Sequence, residues 1–362
     1  MLRSTLSNLL CPGLEEPCGA ELSVKSTQDV AGDILYGQIH CENCGGLFPI
    51  LAGVAIVVPD VESYLLEHVK GIAKLVLDDS IPEAYRDVWI DAKSNIEGEH
   101  IEEDLESDRV NALYILTHYM KAQDGWWKTK NGSPLFAELI EKYWDHGPFE
   151  KIKSLLPKNS AQTLVEIGCG VGGLFREVEN LIGRYLGIDS SFASIALARH
   201  IALNAPYAGE ILVPQDLLQG ALTGHVRLPE LKSTKADFIV GDALLPPLKL
   251  EHWDVSASLN MMDMVPDPQE FPRLHASLVK SGGMLIQSCP YIWHPQAALK
   301  MREKLAEISN SGSCDSDQAV EKIYEAAGTQ ILQRYVHVPW LFYKHARQLE
   351  IYSTHMFSAR KI

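Results

Sequence analysis

Hydrophobic positions fall into three regimes along the chain. Residues 1 to about 60 form a compact stretch rich in Gly, Pro and Cys, ending in Phe48-Pro49-Ile50-Leu51-Ala52-Gly53-Val54-Ala55-Ile56-Val57-Val58-Pro59. Gly53 breaks that apolar run into two short β segments. From about 62 to 157 the composition turns helical and acidic, and helices are predicted over Ser63 to Asp79, Pro82 to about Ala92, Glu102 to Ala122 and Pro134 to Leu156. Pro82 and Pro134 suit first-turn positions. From Thr163 onward, short apolar runs alternate with helical periodicity, the pattern of a parallel sheet covered by helices. Strands are predicted at Thr163 to Ile167, Tyr185 to Ile188, Phe238 to Val240, Val255 to Leu259 and Met284 to Ser288. Two more, near Ile331 to Val338 and Leu349 to Ala359, are placed to form a terminal antiparallel pair. The expected fold class is α/β.

At 362 residues the chain has room for two or three domains, and 46% hydrophobic against 22% charged residues excludes a disordered or collagen-like polymer. A net charge of -15 disfavours general adhesion to nucleic acid or anionic lipid, leaving a local basic groove open. No membrane partner is expected, because the longest apolar stretch, Ile50 to Val58, is far short of the roughly 18 residues a spanning helix needs. The first residues lack a sustained apolar core and an obvious cleavage site, so a cytoplasmic location is expected. The acidic run Glu97, Glu99, Glu102, Glu103, Asp104, Glu106, Asp108 is irregularly spaced and reads as a solvated face.

Four of the seven cysteines lie in the first 44 residues. Cys11 pairs with Cys18 and Cys41 with Cys44, and a glycine follows each pair, as a metal knuckle requires when backbone N–H groups turn toward thiolate sulfur. Four thiolates without a nearby histidine favour a structural tetrahedral zinc site, the competing reading being four reduced thiols in a small core. Cys169, Cys289 and Cys314 read as buried small hydrophobes. Leu10-Cys11-Pro12, Cys41-x-x-Cys44-Gly45 and Phe48-Pro49-Ile50 with Gly53-Val54-Ala55 resemble the Trm112-like zinc ribbon, a domain that activates methyltransferases. The chain departs from that pattern in placing six residues, not two, between Cys11 and Cys18.

Val165-Glu166-Ile167-Gly168-Cys169-Gly170-Val171-Gly172-Gly173 follows a predicted strand and opens a predicted helix reaching about Ile182. Gly168, Gly170 and Gly173 also satisfy the dinucleotide-binding spacing. The acid Glu166 separates the readings, since a carboxylate beside the loop suits a ligand carrying an ammonium and a sulfonium better than a pyrophosphate. Asp189 ends the next strand, placed to accept from ribose hydroxyls, and Asp242 ends the third, placed to accept from an adenine amino group. This stretch resembles the class I S-adenosylmethionine-dependent methyltransferases. The resemblance implies a Rossmann-like seven-stranded sheet whose last two strands form a hairpin. It implies a cofactor set of Glu166, Gly168, Gly170, Gly172, Asp189, Ser190, Asp242, Ala243 and Asn260. The expected division is a Trm112-like zinc ribbon over 1–62, a helical linker and substrate lid over 63–158, and the class I domain over 159–362.

Reacting groups in such a sheet lie beyond the carboxyl ends of the strands. Asp263 and His294, in the loops after the fourth and fifth strands, are the candidates for orienting or deprotonating a substrate, against the plainer readings of a helix cap and a loop residue. The Asn-Pro-Pro-Tyr signature of base amino methyltransferases is absent. The expectation is an enzyme that methylates a small molecule or a peptide side chain, a histidine or another N, O or S nucleophile, with S-adenosylmethionine and zinc bound and the ribbon packed on its own methyltransferase domain. The tail segment Val338-Pro339-Trp340-Leu341 weakly resembles that of histidine-methylating enzymes acting on small peptides. The alternatives are an RNA or translation-factor methyltransferase docking through the ribbon, and a cofactor-binding scaffold without turnover. The aromatics Tyr114, Tyr119, Trp126, Trp127, Phe136, Tyr143 and Trp144 read mainly as core, with a substrate lid as the other option.

Overall fold

A computed structural model describes every residue except 15, 97–104, 129–131, 157–161, 204–210, 213–224, 227–232, 309–314 and 346. Most of the acidic run and Cys314 therefore lie outside the described residues.

The amino-terminal region is a four-stranded antiparallel sheet, β1 (Ser23–Val30), β2 (Asp33–His40), β3 (Leu47–Leu51) and β4 (Val54–Ala55), in chain order. Leu51 faces Val54 across the predicted break, and Ala52 and Gly53 both hold positive φ, 48° and 83°. That is the pair of left-handed conformations a two-residue hairpin turn needs. Neither β1 nor β2 is among the predicted strands; for β1 the reason is that Ser-Val-Lys-Ser-Thr-Gln-Asp-Val offers no apolar alternation in its mostly exposed edge position.

Helices α1 (Val61–Glu67), α2 (Val69–Ala73), α3 (Arg86–Ile96), α4 (Leu105–Tyr119), α5 (Pro134–Tyr143) and α6 (Pro148–Leu155) follow. Two predicted helices prove to be interrupted. Ser63 to Asp79 breaks at His68, and Pro134 to Leu156 breaks at Gly147-Pro148, where proline begins a new helix. Asp60 caps α1, its carboxylate accepting from the Ser63 N–H at 2.9 Å.

The remainder alternates strands and helices: β5 (Thr163–Ile167), α7 (Gly173–Val178), β6 (Arg184–Asp189), α8 (Phe192–Leu203), the short β7 (Ile211–Leu212) and β8 (His225–Val226), β9 (Ala236–Val240), β10 (Trp253–Leu259), α9 (Phe271–Leu278), β11 (Val279–Cys289), α10 (Pro295–Ile308), α11 (Ser316–Ala326), β12 (Thr329–His345) and β13 (Gln348–Lys361). Seven strands form one mixed sheet in the order β12-β13-β11-β10-β5-β6-β9. Counted in chain order from the β9 edge, this is 3-2-1-4-5-7-6. β5, β6, β9, β10 and β11 run parallel, while β13 inserts antiparallel between β11 and β12. This is the methyltransferase α/β fold, with the expected terminal hairpin. The strand order reverses between β5 and β10, which sets the ligand crevice at the carboxyl ends beside that point.

The two sheets share one apolar core, from Ile39, Phe48 and Ile56 through to Val165, Phe238 and Val240. Beyond β4, Ile56 bridges Val240 in parallel, and the Val57 N–H donates to the Val240 carbonyl at 3.0 Å, so this segment extends the large sheet past its β9 edge. Leu9 bridges Leu248. Polar groups reinforce the junction. Arg199 of α8, 1% exposed, pairs with Asp237 and, at 2.6 Å, with Asp33 of β2. The other Asp237 oxygen accepts from the Thr5 hydroxyl at 2.6 Å and the Leu2 N–H at 2.7 Å.

Candidate functional site

The loop after β5 is shaped by contacts that exclude side chains. A Cβ at Gly168 would lie 2.5 Å from Met261, and one at Gly172 would lie 2.7 Å from the Phe238 ring. Both residues also hold positive φ, 75° and 78°, so glycine alone lets the backbone pass there. The Gly168 and Cys169 N–H groups both donate to the Ile188 carbonyl, at 2.8 and 3.0 Å. The Asp189 carboxylate accepts from the Gly170 N–H and the Ser191 N–H, each at 2.9 Å. Burial pushes this carboxyl above its ordinary range, while those N–H groups pull it back.

A cavity of about 610 Å³ opens at the carboxyl ends of β5, β6 and β9. Of the predicted cofactor residues, Gly168, Asp189, Ser190, Asp242 and Ala243 line it. Glu166, Gly170, Gly172 and Asn260 do not. Asn260 accepts from the Ser288 hydroxyl at 3.0 Å through its side-chain oxygen, joining the ends of β10 and β11. Glu166 is 3% exposed and accepts a hydrogen bond from the Tyr185 hydroxyl. Its place within the sheet follows from register, since Glu166 stands between Ala257 and Gly187 on the neighbouring strands.

Burial pushes the Glu166 carboxyl up to about 8, and the Asp189 carboxylate adds to the rise, while the Tyr185 hydrogen bond opposes it. The folded chain thus holds a proton that the unfolded chain releases near its ordinary value of 4.5. The sign is a loss of stability as pH rises between those two values. Glu166→Gln keeps an acceptor for Tyr185 and removes the titration. The variant is expected to melt above the wild type at about pH 8, with the gap closing toward about pH 5. Thermal unfolding across that range checks it, and parallel curves would contradict it.

The opposite wall of the cavity was not foreseen. It comes from the segment just after the first sheet, including Asp60, Ser63, Tyr64 and His68. The Tyr64 hydroxyl donates to the Ser190 carbonyl at 2.7 Å, and its ring lies 4.1 Å from that of His68. The only sequence signal was position: a capped helix directly follows the apolar run that joins the sheet edge.

Asp263 is 2% exposed, and burial raises its carboxyl above the ordinary range. It does not cap a helix: Oδ2 accepts from the Ile292 N–H at 2.8 Å, tying the loop after β10 to the loop after β11. His294 is exposed, and its backbone N–H donates to the Asp263 carbonyl at 2.9 Å. The structure therefore joins these two residues through backbone, and neither lines the large cavity.

Sulfur atoms of Cys11, Cys18, Cys41 and Cys44 all lie within 4.8 Å of one another. Cys11 and Cys44 sulfurs are 3.5 Å apart and those of Cys18 and Cys41 3.7 Å. Zinc–sulfur bonds of about 2.3 Å in a tetrahedron place sulfurs about 3.8 Å apart, so the set fits a zinc ion. The long Cys11–Cys18 loop closes through the Gly19 N–H on the Cys11 carbonyl at 2.9 Å. The Gly13 N–H approaches the Cys11 sulfur at 3.4 Å, and the Asn43 amide approaches the Cys18 sulfur at 3.3 Å. The Asn43 contact leads the causes that bring Cys18 down to about 7. Cys169 and Cys289 are buried, as expected of small hydrophobes.

The aromatics divide. Trp127 and Trp144 pack with Ile140, Leu341 and Tyr343, with Trp126, Phe136 and Tyr143 partly buried against them, and Tyr119 packs with Ile115 and Val171. Among the described residues, no helix is long and apolar enough to cross a membrane.

Residues 165–287 match a family described as a methyltransferase domain. An uncharacterised methyltransferase of Schizosaccharomyces pombe is 28% identical over 126 residues, 32% of this chain and 42% of that one. The chain thus spans less than half the length of that curated relative. A chain from the complex between the Haloferax volcanii Trm112 methyltransferase activator and a methyltransferase is 16% identical, with a TM-score of 0.39 over 60% of this chain and 90% of that one. An S-adenosylmethionine-dependent methyltransferase from Mesorhizobium loti is 17% identical, with a TM-score of 0.37 over 59% of this chain and 96% of that one.

Proposed function

We propose that this chain, whose residues 165–287 match a methyltransferase domain, transfers methyl groups from S-adenosylmethionine to a small molecule or a peptide side chain. The observation that carries the reading is the grouping of Gly168, Asp189 and Asp242, from three successive strand ends, around one 610 Å³ cavity. Such a volume suits a nucleoside-sized ligand. Asp189 accepts from the ribose hydroxyls and Asp242 from the adenine amino group. When bound, the cofactor supplies a methyl group on sulfonium sulfur for in-line displacement. The chain's task is to orient the nucleophile along that line and exclude water. Asp263, buried and anchored by the Ile292 N–H, acts by positioning the loops after β10 and β11 that fix the direction of attack, with the exposed His294 beside it in the adjoining loop. Glu166 supports the loop from within the sheet, through Tyr185.

The four cysteines hold a structural zinc ion in a Trm112-like ribbon. Its task is mechanical: residues beyond β4 extend the large sheet and then build the cofactor wall with Tyr64 and His68. One zinc per chain is expected in protein purified without added metal. Chelation is expected to lower the melting temperature and to weaken S-adenosylhomocysteine binding together. Metal analysis and calorimetry before and after chelation check this, and unaltered affinity in metal-free protein would refute the mechanical role. The net charge of -15 favours this reading over RNA methylation.

The test is incubation of the full chain with methyl-labelled S-adenosylmethionine and fractionated lysate. Label is expected in the small-molecule or peptide fraction. Label confined to RNA would favour the docking alternative, and no label anywhere, with no S-adenosylhomocysteine formed, would leave a scaffold.

A further inference from the structure

Helix α4 is fastened across the glycine loop. The Tyr119 hydroxyl donates to the Val171 carbonyl at 2.7 Å, the Ser194 hydroxyl of α8 donates to the Asn111 side-chain oxygen at 2.8 Å, and His118 fills the space that a Cβ at Gly173 would need. Tyr114 stands one turn before His118, its ring 5.5 Å from the imidazole. A Cβ at Gly170 would lie 3.9 Å from that same imidazole, and the Gly170 N–H is the one held by Asp189. Tyr114 therefore stands beside the cofactor loop. It is half-buried. Among the described residues its hydroxyl has no hydrogen-bond partner, and it is not one of the unpartnered polar atoms closed off from solvent.

One side of the terminal hairpin faces α4. Trp340 pairs with Tyr352 and Phe342 with Glu350, so the two-residue period of a strand puts these four side chains on one face. Tyr114 meets Phe342 edge-on at 6.0 Å, and Phe342 lies 5.2 Å from Tyr352 and is stacked on Trp340 at 6.0 Å. The surroundings are negative as well as aromatic. Burial raises the Tyr114 phenol above its ordinary value, and the Asp189 and Asp263 carboxylates add to the rise, so the group stays protonated and its oxygen keeps a lone pair to accept with. Glu350 is answered by Lys344 at 3.3 Å. Asp189 and Asp263 have backbone N–H partners and, among the described residues, no cation. An anionic acceptor would meet two carboxylates here, whereas a cationic nitrogen meets their field, aromatic faces and a phenol oxygen.

We propose that Tyr114 contacts the methyl acceptor and that the acceptor is a basic amine, its N–H donating to the Tyr114 oxygen and its cationic head set against the faces of Phe342 and Tyr352. The proposal rests on the methyl-transfer reading given above and names the substrate class of that site. The bound ammonium gives one proton to solvent past the half-open Tyr114. The freed nitrogen lone pair forms the N–C bond to the methyl carbon as the C–S bond breaks, the bonding pair stays on sulfur, and the methylated nitrogen leaves with the positive charge.

The experiment titrates the full chain, saturated with S-adenosylhomocysteine, with phenethylamine, 2-phenylethanol and 3-phenylpropionate, which share a phenylethyl frame and differ in the charge of the head group. Calorimetry and tryptophan fluorescence are the readouts, with S-adenosylhomocysteine affinity measured first. Phenethylamine is expected to saturate at least tenfold tighter than 2-phenylethanol, and 3-phenylpropionate to bind more weakly than either. Tyr114→Phe keeps the ring against Phe342 and removes only the hydroxyl. In it the preference for amine over alcohol is expected to shrink at least fivefold, with S-adenosylhomocysteine affinity unchanged, whereas a purely structural Tyr114 would leave that ratio where it is. Equal binding of amine and alcohol, tightest binding of the propionate, no saturation by any probe, or an unchanged ratio in Tyr114→Phe would overturn the proposal while S-adenosylhomocysteine still binds. Failure of the wild-type chain to bind S-adenosylhomocysteine would instead overturn the reading on which the proposal rests.

Discussion

Replacing Arg199 by methionine is expected to destabilise the chain by about 3–5 kcal/mol, the usual cost of removing one partner from a buried ion pair. The side chain is 1% exposed and Asp237 2%. Methionine fills much of the volume but leaves the Asp237 carboxylate buried with only the Thr5 hydroxyl and nearby N–H groups as partners. Because Arg199 also reaches Asp33, the loss loosens the first sheet from the second. Denaturant unfolding checks the size of the effect. Adding Asp237→Asn to the same chain is expected to recover part of it, since the uncompensated charge goes too. Equal stability of wild type and Arg199→Met would show that the junction is held by its apolar core alone.

Asp189→Ala is expected to weaken S-adenosylhomocysteine binding by at least about 100-fold, because two charge-assisted hydrogen bonds are lost at about 1.5–3 kcal/mol each. The structure adds a second source of loss. The same carboxylate receives the Gly170 and Ser191 N–H groups, so alanine also leaves two loop donors without an acceptor. Asp189→Asn retains one side-chain oxygen and is expected to fall between the two. Calorimetry on the three proteins gives the order, and equal affinity across them would remove Asp189 from the site.

What the sequence made legible follows from the range of the forces involved. Strands β5, β6, β10 and β11 lie between neighbours in the sheet and β9 is flanked by the Ile56–Val57 segment, so the buried part of each reads as a short run of mostly apolar positions. The Gly168 loop was legible for the opposite reason, since crowding there admits no side chain. The polar β1 carried neither signal. Arg199, Asp237 and Asp33 stand far apart in the chain, and no local pattern announces that they meet. Tyr64 and His68 face Ser190 and Asp189 across the cavity only because Ile56 and Val57 join the sheet edge at Val240. Glu166 shows a limit of another kind: its position beside the glycines was visible, but its direction depends on the pleat, which turns it toward Tyr185 and not into the cavity.

The large cavity, in the function proposed above, is an S-adenosylmethionine site built jointly by the sheet and by the segment after the cysteine unit. Its most direct measurement is a calorimetric titration of the full, metal-loaded chain with S-adenosylhomocysteine and, separately, with NADH. One equivalent of S-adenosylhomocysteine is expected to bind saturably, with affinity reduced in a Tyr64→Ala variant, while NADH gives no saturable heat. Saturable NADH binding without S-adenosylhomocysteine binding would contradict the account and return the glycine loop to the dinucleotide reading.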